Sequence, residues 1–238
     1  MPTVPILPSK LVVAGIFNYI ESLRFANIQD QVLPSQKFES AADKNILNAS
    51  DKKNYIQGLK NVKQNDLYGA IKNFSEAVKI NPHFASAYNA RGLARYKLGY
   101  KQSAVEDLTR AIALNPYRAK YYRNRGFMLT RLEDYTGAIA DYNSALMLNP
   151  NLAQAYFNRG AIRLQMENSL AALADFESAI RLEPNLAKAY FNRGLIKYKL
   201  REVQGGVEDF QRAAELFKQQ GRMDYYQQAI QRIRQLGY

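Results

Sequence analysis

The chain has 238 residues, of which 47% are hydrophobic and 23% are charged, and its formal net charge is +12. This composition is typical of a folded globular protein and excludes a disordered or membrane-embedded chain. The absence of cysteine excludes disulfides and thiolate chemistry, and the single histidine, His83, excludes histidine-based metal sites and catalytic triads.

The N-terminal region, residues 1–50, is predicted to hold one amphipathic helix from about residue 10 to 32, followed by a polar linker. Pro34 ends the helix. Its apolar residues recur at helical spacing, at Val13, Phe17, Ile20 and Leu23. Four basic and four acidic residues cancel in this region, so the positive excess lies in residues 51–238.

The same region holds the apolar run 11–17, which is only seven residues long. A membrane span needs ~20 apolar residues, and a signal peptide needs a basic start and a small-residue cleavage site, which are missing. We therefore expect no transmembrane segment, and a cytoplasmic location is the default expectation.

A period of 34 residues organises the rest of the chain, which indicates a repeat architecture. Glycines mark the period at Gly58, Gly92, Gly126, Gly160 and Gly194. Prolines mark it at Pro82, Pro116, Pro150 and Pro184. A small residue follows each glycine after twelve residues, and a large apolar residue follows after sixteen.

These markers predict that each repeat is a pair of antiparallel helices. In the last four repeats a tyrosine four residues before the glycine shares its helical face, whereas the first repeat has Asn54 there. Glycine inside a helix costs ~1 kcal/mol relative to alanine, and close approach of a second helix is the expected compensation. The proline ends that second helix and begins the next unit.

The motif AYFNRGLIKYKL…GGVEDFQRAAEL, residues 189–216, resembles the consensus of the tetratricopeptide repeat family in its order of aromatic, glycine and small residues. The resemblance covers about residues 51–220, as an Asn-Arg-Gly variant of the motif. It implies an all-α, right-handed superhelical solenoid of antiparallel helix pairs. The five predicted repeats are 51–84, 85–118, 119–152, 153–186 and 187–220.

The C-terminal segment, residues 221–238, is predicted to form a capping helix. Its apolar residues again fall on one helical face, at Tyr226, Ile230, Ile233 and Leu236. A polar, basic opposite face suits the end of a solenoid, where the last repeat meets solvent.

Arginine precedes the glycine in four repeats, and in the same four an aspartate stands fifteen residues after the glycine. The first repeat has neutral residues, Gln57 and Asn73, at both places. An arginine beside a helix seam needs paired donors, so we predict clasps within a repeat or to its neighbour; arginines lining a ligand site are the alternative. The predicted pairs are Arg91 with Asp107, Arg125 with Asp141, Arg159 with Asp175, and Arg193 with Asp209.

No catalytic constellation is evident, because acidic pairs such as Glu106-Asp107 are adjacent along the chain and do not converge. We therefore expect a non-enzyme without cofactor or metal. The family resemblance implies that the first helix of each pair lines a concave groove for an extended peptide or a partner helix.

The expected groove residues are amide, aromatic and basic. They are Asn124, Asn158, Asn192, Arg123, Phe127, Arg131, Phe157, Phe191, Tyr198, Lys188, Lys199 and Tyr96. The three asparagines stand two residues before the glycine, and an amide ladder could pair with a peptide main chain. Lys188 and Lys199 favour acidic ligands.

Two other functions stay open at this stage. An RNA-binding solenoid would use the positive charge and stack bases on Tyr96, Phe157, Phe191 and Tyr198. A membrane-surface adaptor would lay residues 11–33 on lipid. The N-terminal helix could also cap the solenoid, or occupy the groove of its own or a neighbouring chain.

Overall fold

The computed structural model describes residues 49–238, which contain eleven helices and no strand. The predicted N-terminal helix and most of its linker lie outside the described residues. The helices are α1 (Ala49–Lys63), α2 (Leu67–Ile80), α3 (Ala85–Lys97), α4 (Lys101–Leu114), α5 (Ala119–Arg131), α6 (Tyr135–Leu148), α7 (Ala153–Gln165), α8 (Ser169–Leu182), α9 (Ala187–Lys199), α10 (Val203–Gln219) and α11 (Met223–Gln235).

The described chain divides into two compact units, residues 49–148 and residues 149–238. In the first unit α1 packs against α2, α3 against α4, and α5 against α6, and successive pairs also pack on each other. In the second unit α7 packs against α8 and α9 against α10, while α11 packs against α10. Each unit is therefore a stack of helix pairs, and the all-α fold expected from the repeat is confirmed.

The two helices of a pair come very close where the repeat places glycine. A Cβ added to Gly92 would lie 3.0 Å from the Ala104 carbonyl oxygen and 3.2 Å from Asp107 Cβ. In the second unit, a Cβ on Gly194 would lie 3.0 Å from the Gly206 carbonyl oxygen. At these positions the backbone of the neighbouring helix leaves no room for a side chain, which explains why the helical cost of glycine is tolerated.

The turn inside each helix pair contains one residue with a left-handed backbone. These residues are 34 positions apart, at Asn65, Gly99, Glu133, Glu167 and Arg201, with φ between 60° and 88°. The next residue caps the second helix in three pairs, since Asp66, Asp134 and Asn168 accept a backbone N–H of the first turn.

The turns that connect successive pairs contain proline, which follows asparagine in three of the four turns. Asn81 Oδ1 accepts a hydrogen bond from the His83 backbone N–H at 3.0 Å, and Asn149 Oδ1 accepts one from Asn151 at 3.0 Å. Pro82 and Pro150, which lie between the bonded residues of each turn, cannot continue the preceding helix. These turns therefore end α2 and α6 where the sequence places the period markers.

The core of each unit is built from the large residue that follows the glycine by sixteen positions. Phe74 and Tyr142 are fully buried in the first unit, and Phe176 and Phe210 are buried in the second. The last helix, α11, extends the second core, because Tyr225 stacks on Phe217 with ring centroids 5.2 Å apart. Within residues 49–238, no helix is both long and apolar enough to cross a membrane.

Candidate functional site

The structure brings the predicted arginine and aspartate partners together in all four repeats, within one helix pair in each case. Each arginine donates from Nε and Nη2 to the two oxygens of its aspartate, over 2.6–3.0 Å. Hydrogen bonding to Asp141 raises the pKa of Arg125, and bonding to Asp209 raises the pKa of Arg193. The bidentate geometry engages both carboxylate oxygens.

A second cation joins three of these pairs. Asp107 also binds Arg95 at 2.8 Å, and Asp175 also binds Arg163 at 2.8 Å. Asp209 also forms an ion pair with Lys197, whose Nζ lies 3.0 Å from Asp209 Oδ2. Sequence reasoning missed these contacts. The signal was visible, because a basic residue stands four positions after the arginine in these three repeats, whereas Leu129 stands there in α5.

The arginines of the first unit also link one helix pair to the pair before it. Arg91 Nη1 donates to Ser75 Oγ at 3.2 Å, and Arg125 Nη1 donates to Thr109 Oγ1 at 3.1 Å. The Arg91 guanidinium carbon lies 5.3 Å from the Tyr88 ring centroid. Both polar and ring contacts are therefore internal, which favours a structural role over a ligand site.

The three asparagines of the expected ladder differ from one another. Asn124 is 1% exposed, and its Nδ2 donates to Asn89 Oδ1 at 2.9 Å. Asn158 is 6% exposed and accepts a hydrogen bond from Gln154 Nε2 at 2.9 Å. Asn192 is also 6% exposed, but its side chain forms no hydrogen bond with any residue of 49–238. A ladder of three equivalent free amides is therefore not what the structure contains, because neighbouring side chains already use two of them.

Two of the expected groove aromatics are core residues instead. Phe157 is 1% exposed, with its ring centroid 5.7 Å from that of Phe176. Phe127 is 5% exposed and meets Tyr96 edge-on at 5.5 Å. Sequence periodicity places them beside the core face of their helices, and close helix packing encloses them.

The remaining aromatic residues keep part of their surface. Tyr96 is half-buried in the first unit, and burial raises its pKa. Phe191 and Tyr198 are half-buried on α9 of the second unit. Phe191 packs against Phe210, with ring centroids 5.3 Å apart, and it also packs against the core around Phe217, so its ring is only partly exposed.

The four expected basic residues lie in different surroundings. Arg123 is half-buried, and burial lowers its pKa. Arg131 hydrogen-bonds the Tyr96 side chain. Lys199 is exposed at the end of α9.

Lys188, in the first turn of α9, meets residues that the periodicity did not suggest. Its Nζ lies 5.0 Å from the Tyr225 ring centroid, and the Arg222 guanidinium lies 4.5 Å from the same centroid. Burial, followed by the charge of Arg222, lowers the pKa of Lys188 to about 7. Arg222 and Tyr225 belong to the C-terminal cap, where the repeat no longer guides a sequence comparison.

A metal site has little support among residues 49–238. Among residues 49–238, no three His, Cys, Asp or Glu side chains converge so that they could hold a metal ion. The acidic residues Asp107, Asp141, Asp175 and Asp209 are engaged by arginine.

Repeat models match most of the described chain. One, described as TPR repeat, matches residues 58–99 and 128–167, and two described as tetratricopeptide repeat match residues 85–118 and 157–221. The chain belongs to the tetratricopeptide repeat (TPR) family. Its predicted family and fold are thus confirmed.

Several solved structures share the fold of this TPR protein at low sequence identity. The crystal structure of MamA is 24% identical, covers 69% of this chain and 96% of its own, and has a TM-score of 0.64. YrrB, described as a TPR protein with an unusual peptide-binding site, is 20% identical, with 74% and 92% covered and a TM-score of 0.61. PilF of Pseudomonas aeruginosa is 20% identical, with 79% and 91% covered and a TM-score of 0.64. None of the curated protein sequences matched this TPR chain.

Proposed function

We propose that this TPR protein is a non-enzymatic scaffold or assembly factor that binds an extended peptide or a partner helix along the first helices of its pairs. Membership of the TPR family supports a role in protein–protein interaction. The description of YrrB as having a peptide-binding site supports a peptide as the ligand class.

The observation that carries the proposal is the amide of Asn192 in α9. An amide that is fully enclosed and has no partner is unfavourable, because it has lost water without gaining a hydrogen bond. Asn192 has no partner among residues 49–238, but its amide is not fully enclosed. Ser169 Oγ is the only fully enclosed side-chain polar atom without a partner in residues 49–238, so the Asn192 amide still reaches solvent. It offers a donor and an acceptor together, which matches a peptide group.

The surroundings of Asn192 suit an extended ligand. Phe191 precedes it, and Tyr198 lies two turns further along α9, so both half-buried rings can contact apolar side chains. Lys199 is exposed at the end of the same helix. This combination of one amide, two rings and a cation is typical of a site that holds a main chain and selects side chains around it.

The proposal is tested by selecting peptides from a random library displayed on phage, with the full chain as bait. Selected peptides are synthesised and their dissociation constants measured by fluorescence anisotropy. Asn192→Ala should weaken binding by about threefold to tenfold, the value of one net hydrogen bond. Asn151→Ala, which removes an exposed amide in the turn before α7, is the matched control and should change nothing. Equal affinities of the Asn192→Ala and unaltered chains would contradict the proposal.

RNA binding remains the main alternative to peptide binding. Its support is the net charge of +12, but Phe157, one of the four aromatics it would use, is enclosed in the core. RNA would be favoured over peptide if the affinity for a fluorescent oligouridine of about 20 nucleotides fell steeply with salt and were unchanged by Asn192→Ala.

The membrane-adaptor alternative depends on residues 11–33, which lie outside the described part of the chain. Vesicle flotation with and without residues 1–50 tests it. Removal of residues 1–35 tests whether that segment competes for the groove, because a competing segment would raise peptide affinity when it is removed.

A further inference from the structure

Two cations of the second unit approach the same aromatic ring. Lys188 lies in the first turn of α9, and Arg222 immediately precedes α11. Lys188 Nζ lies 5.0 Å from the Tyr225 ring centroid, and the guanidinium carbon of Arg222 lies 4.5 Å from it. Each cation is attracted by the ring, whereas the two positive charges repel each other. We call Lys188 and Arg222 the cation pair.

The fold holds the cation pair together. Tyr225 stacks on Phe217 of α10 with 25° between the ring planes, and Phe217 is almost completely buried. The Arg222 backbone N–H donates to the Phe217 carbonyl oxygen at 2.8 Å. Gln220 Nε2 donates to the Asn185 carbonyl oxygen at 2.8 Å, which ties the turn before α11 to the turn before α9. Packing therefore maintains an arrangement that the two charges by themselves disfavour.

The consequence for Lys188 is a reactive amine. Burial, followed by the charge of Arg222, lowers the pKa of Lys188 to about 7. A large fraction of this side chain is therefore neutral at neutral pH, whereas an ordinary lysine is almost fully protonated. A neutral amine is a nucleophile, and desolvation or a neighbouring cation activates lysine in this way. Lys188 is only half-buried, so a small electrophile can reach it.

The neighbouring guanidinium favours one kind of product. Acylation of Lys188 would give a neutral amide, which offers Arg222 no counter-charge. Addition of carbon dioxide gives a carbamate, whose negative charge lies beside Arg222. Hydrogen bonds between a guanidinium and a carboxylate-like group are short and strong, because both partners are charged. Carbon dioxide therefore converts a repulsive pair into an attractive one.

We propose that Lys188 is a carbon dioxide site, at which its amine forms a carbamate that pairs with the Arg222 guanidinium. The Nζ lone pair forms the new bond to the carbon of CO2, and one C=O bonding pair moves onto oxygen. The proton lost from Nζ passes to water, so the step needs neither an oxidant nor a leaving group. The inference goes beyond the proposed peptide-binding function and does not depend on it.

The first test traps the carbamate on the unaltered full chain. The protein is equilibrated with carbon-13-labelled CO2 and bicarbonate at neutral pH, carbamates are ethylated with triethyloxonium, and the labelled lysines are identified by peptide mass spectrometry. Lys120 is the internal control, because it occupies the same repeat position in α5 and its Nζ lies 5.4 Å from the Tyr121 ring centroid. We expect labelling of Lys188 to exceed that of Lys120 about fivefold or more. Equal labelling of the two lysines would overturn the proposal.

Variants of Arg222 test the role of the second cation. Arg222→Gln should reduce labelling of Lys188 about fivefold or more, because the carbamate loses its counter-charge. Arg222→Lys keeps the charge and should retain most of the labelling. Arg234→Gln removes an exposed charge from α11 and is the matched control, so it should label as the unaltered chain does. Undiminished labelling of Lys188 in Arg222→Gln would contradict the proposed pairing.

Reversibility and stability give an independent readout. Carbon dioxide should raise the urea midpoint of the unaltered chain at constant pH and ionic strength, because the carbamate pairs with Arg222 only in the folded state. Lys188→Arg keeps the positive charge but has no nucleophilic amine, so its midpoint should not change. The label should also disappear when CO2 is removed before trapping. A label that persisted after degassing, or an unaltered chain whose midpoint ignored CO2, would overturn the proposal.

Discussion

Single residues decide the stability of the helix pairs through shared carboxylates. Asp175 is 2% exposed and holds both Arg159 and Arg163, whereas Asp141 holds Arg125 alone because Leu129 occupies the second place. A half-buried cation that loses its partner is destabilising. The cost of losing an aspartate should therefore depend on how many cations it serves.

We expect Asp175→Asn to lower the free energy of unfolding by about 2–3 kcal/mol and Asp141→Asn to lower it less, because only one cation is left unpaired. Urea denaturation at pH 7 followed by circular dichroism gives both values. Equal losses would contradict the shared-carboxylate explanation. A double-mutant cycle on Arg159 and Asp175 that showed no coupling energy would contradict the clasp itself.

The pKa of Lys188 gives a prediction with a defined pH window. Its folded-state pKa of about 7 lies below the ordinary value of 10.5, so the unfolded chain binds the extra proton between these values. The unfavourable contribution of Lys188 is present below pH 7 and disappears as the pH rises towards 10.5. Lys188→Met should therefore be more stable than the unaltered chain at pH 6, and the difference should shrink by pH 9.5.

Denaturant midpoints of both chains at pH 6 and pH 9.5 measure this effect. A titration of the Lys188 side chain by NMR gives the pKa directly. A constant stability difference across the pH range would show that Lys188 remains charged throughout.

Whole elements depend on the turns inside each helix pair. The left-handed position is filled by glycine only at Gly99, while Asn65, Glu133, Glu167 and Arg201 occupy it in the other pairs. A side chain in this region costs energy that glycine does not pay. Four of the five turns therefore carry local strain that the packing of the helices tolerates.

We expect Glu167→Gly to raise the free energy of unfolding by about 0.5–1 kcal/mol, since Glu167 is exposed and its φ is 61°. Gly99→Ala is the opposite control and should lower it by about 1 kcal/mol. Thermal and urea unfolding measure both variants. Destabilisation by Glu167→Gly would mean that entropy gained by the unfolded chain outweighs the strain.

At the scale of the whole molecule, a repeat array needs its last apolar face covered. In the second unit α11 provides this cover, because Tyr225 stacks on Phe217 and Ile233 packs with Val207 and Phe210. Phe217 is only 1% exposed with α11 in place.

Ending the chain after Gln220 should lower the free energy of unfolding by about 3 kcal/mol or more, because several large side chains lose their cover. It should also increase binding of the dye ANS. Removal of Gly237 and Tyr238 alone is the control and should have little effect, since both are exposed. Unchanged stability and dye binding after the larger truncation would show that α11 is dispensable for the core.

The sequence by itself determined the repeat, the all-α fold and the family, because each helix pair repeats one local pattern of glycine, small and aromatic residues. It also indicated the partners of Arg91, Arg125, Arg159 and Arg193, since arginine and aspartate are replaced together in the first repeat. Periodicity can indicate the helix pairs and the arginine–aspartate partners because each lies within one repeat and the same pattern recurs in the next.

Only the tertiary structure decided which residues remain available to a ligand. Asn124 bonds to Asn89 thirty-five residues earlier, and Lys188 meets Tyr225 from the cap, so neither contact follows from a 34-residue pattern. Periodicity makes Asn124, Asn158 and Asn192 equivalent, whereas packing gives two of them protein partners and leaves the third open to solvent. Burial and hydrogen bonding depend on the neighbouring helices, and the residues on those helices differ from one repeat to the next.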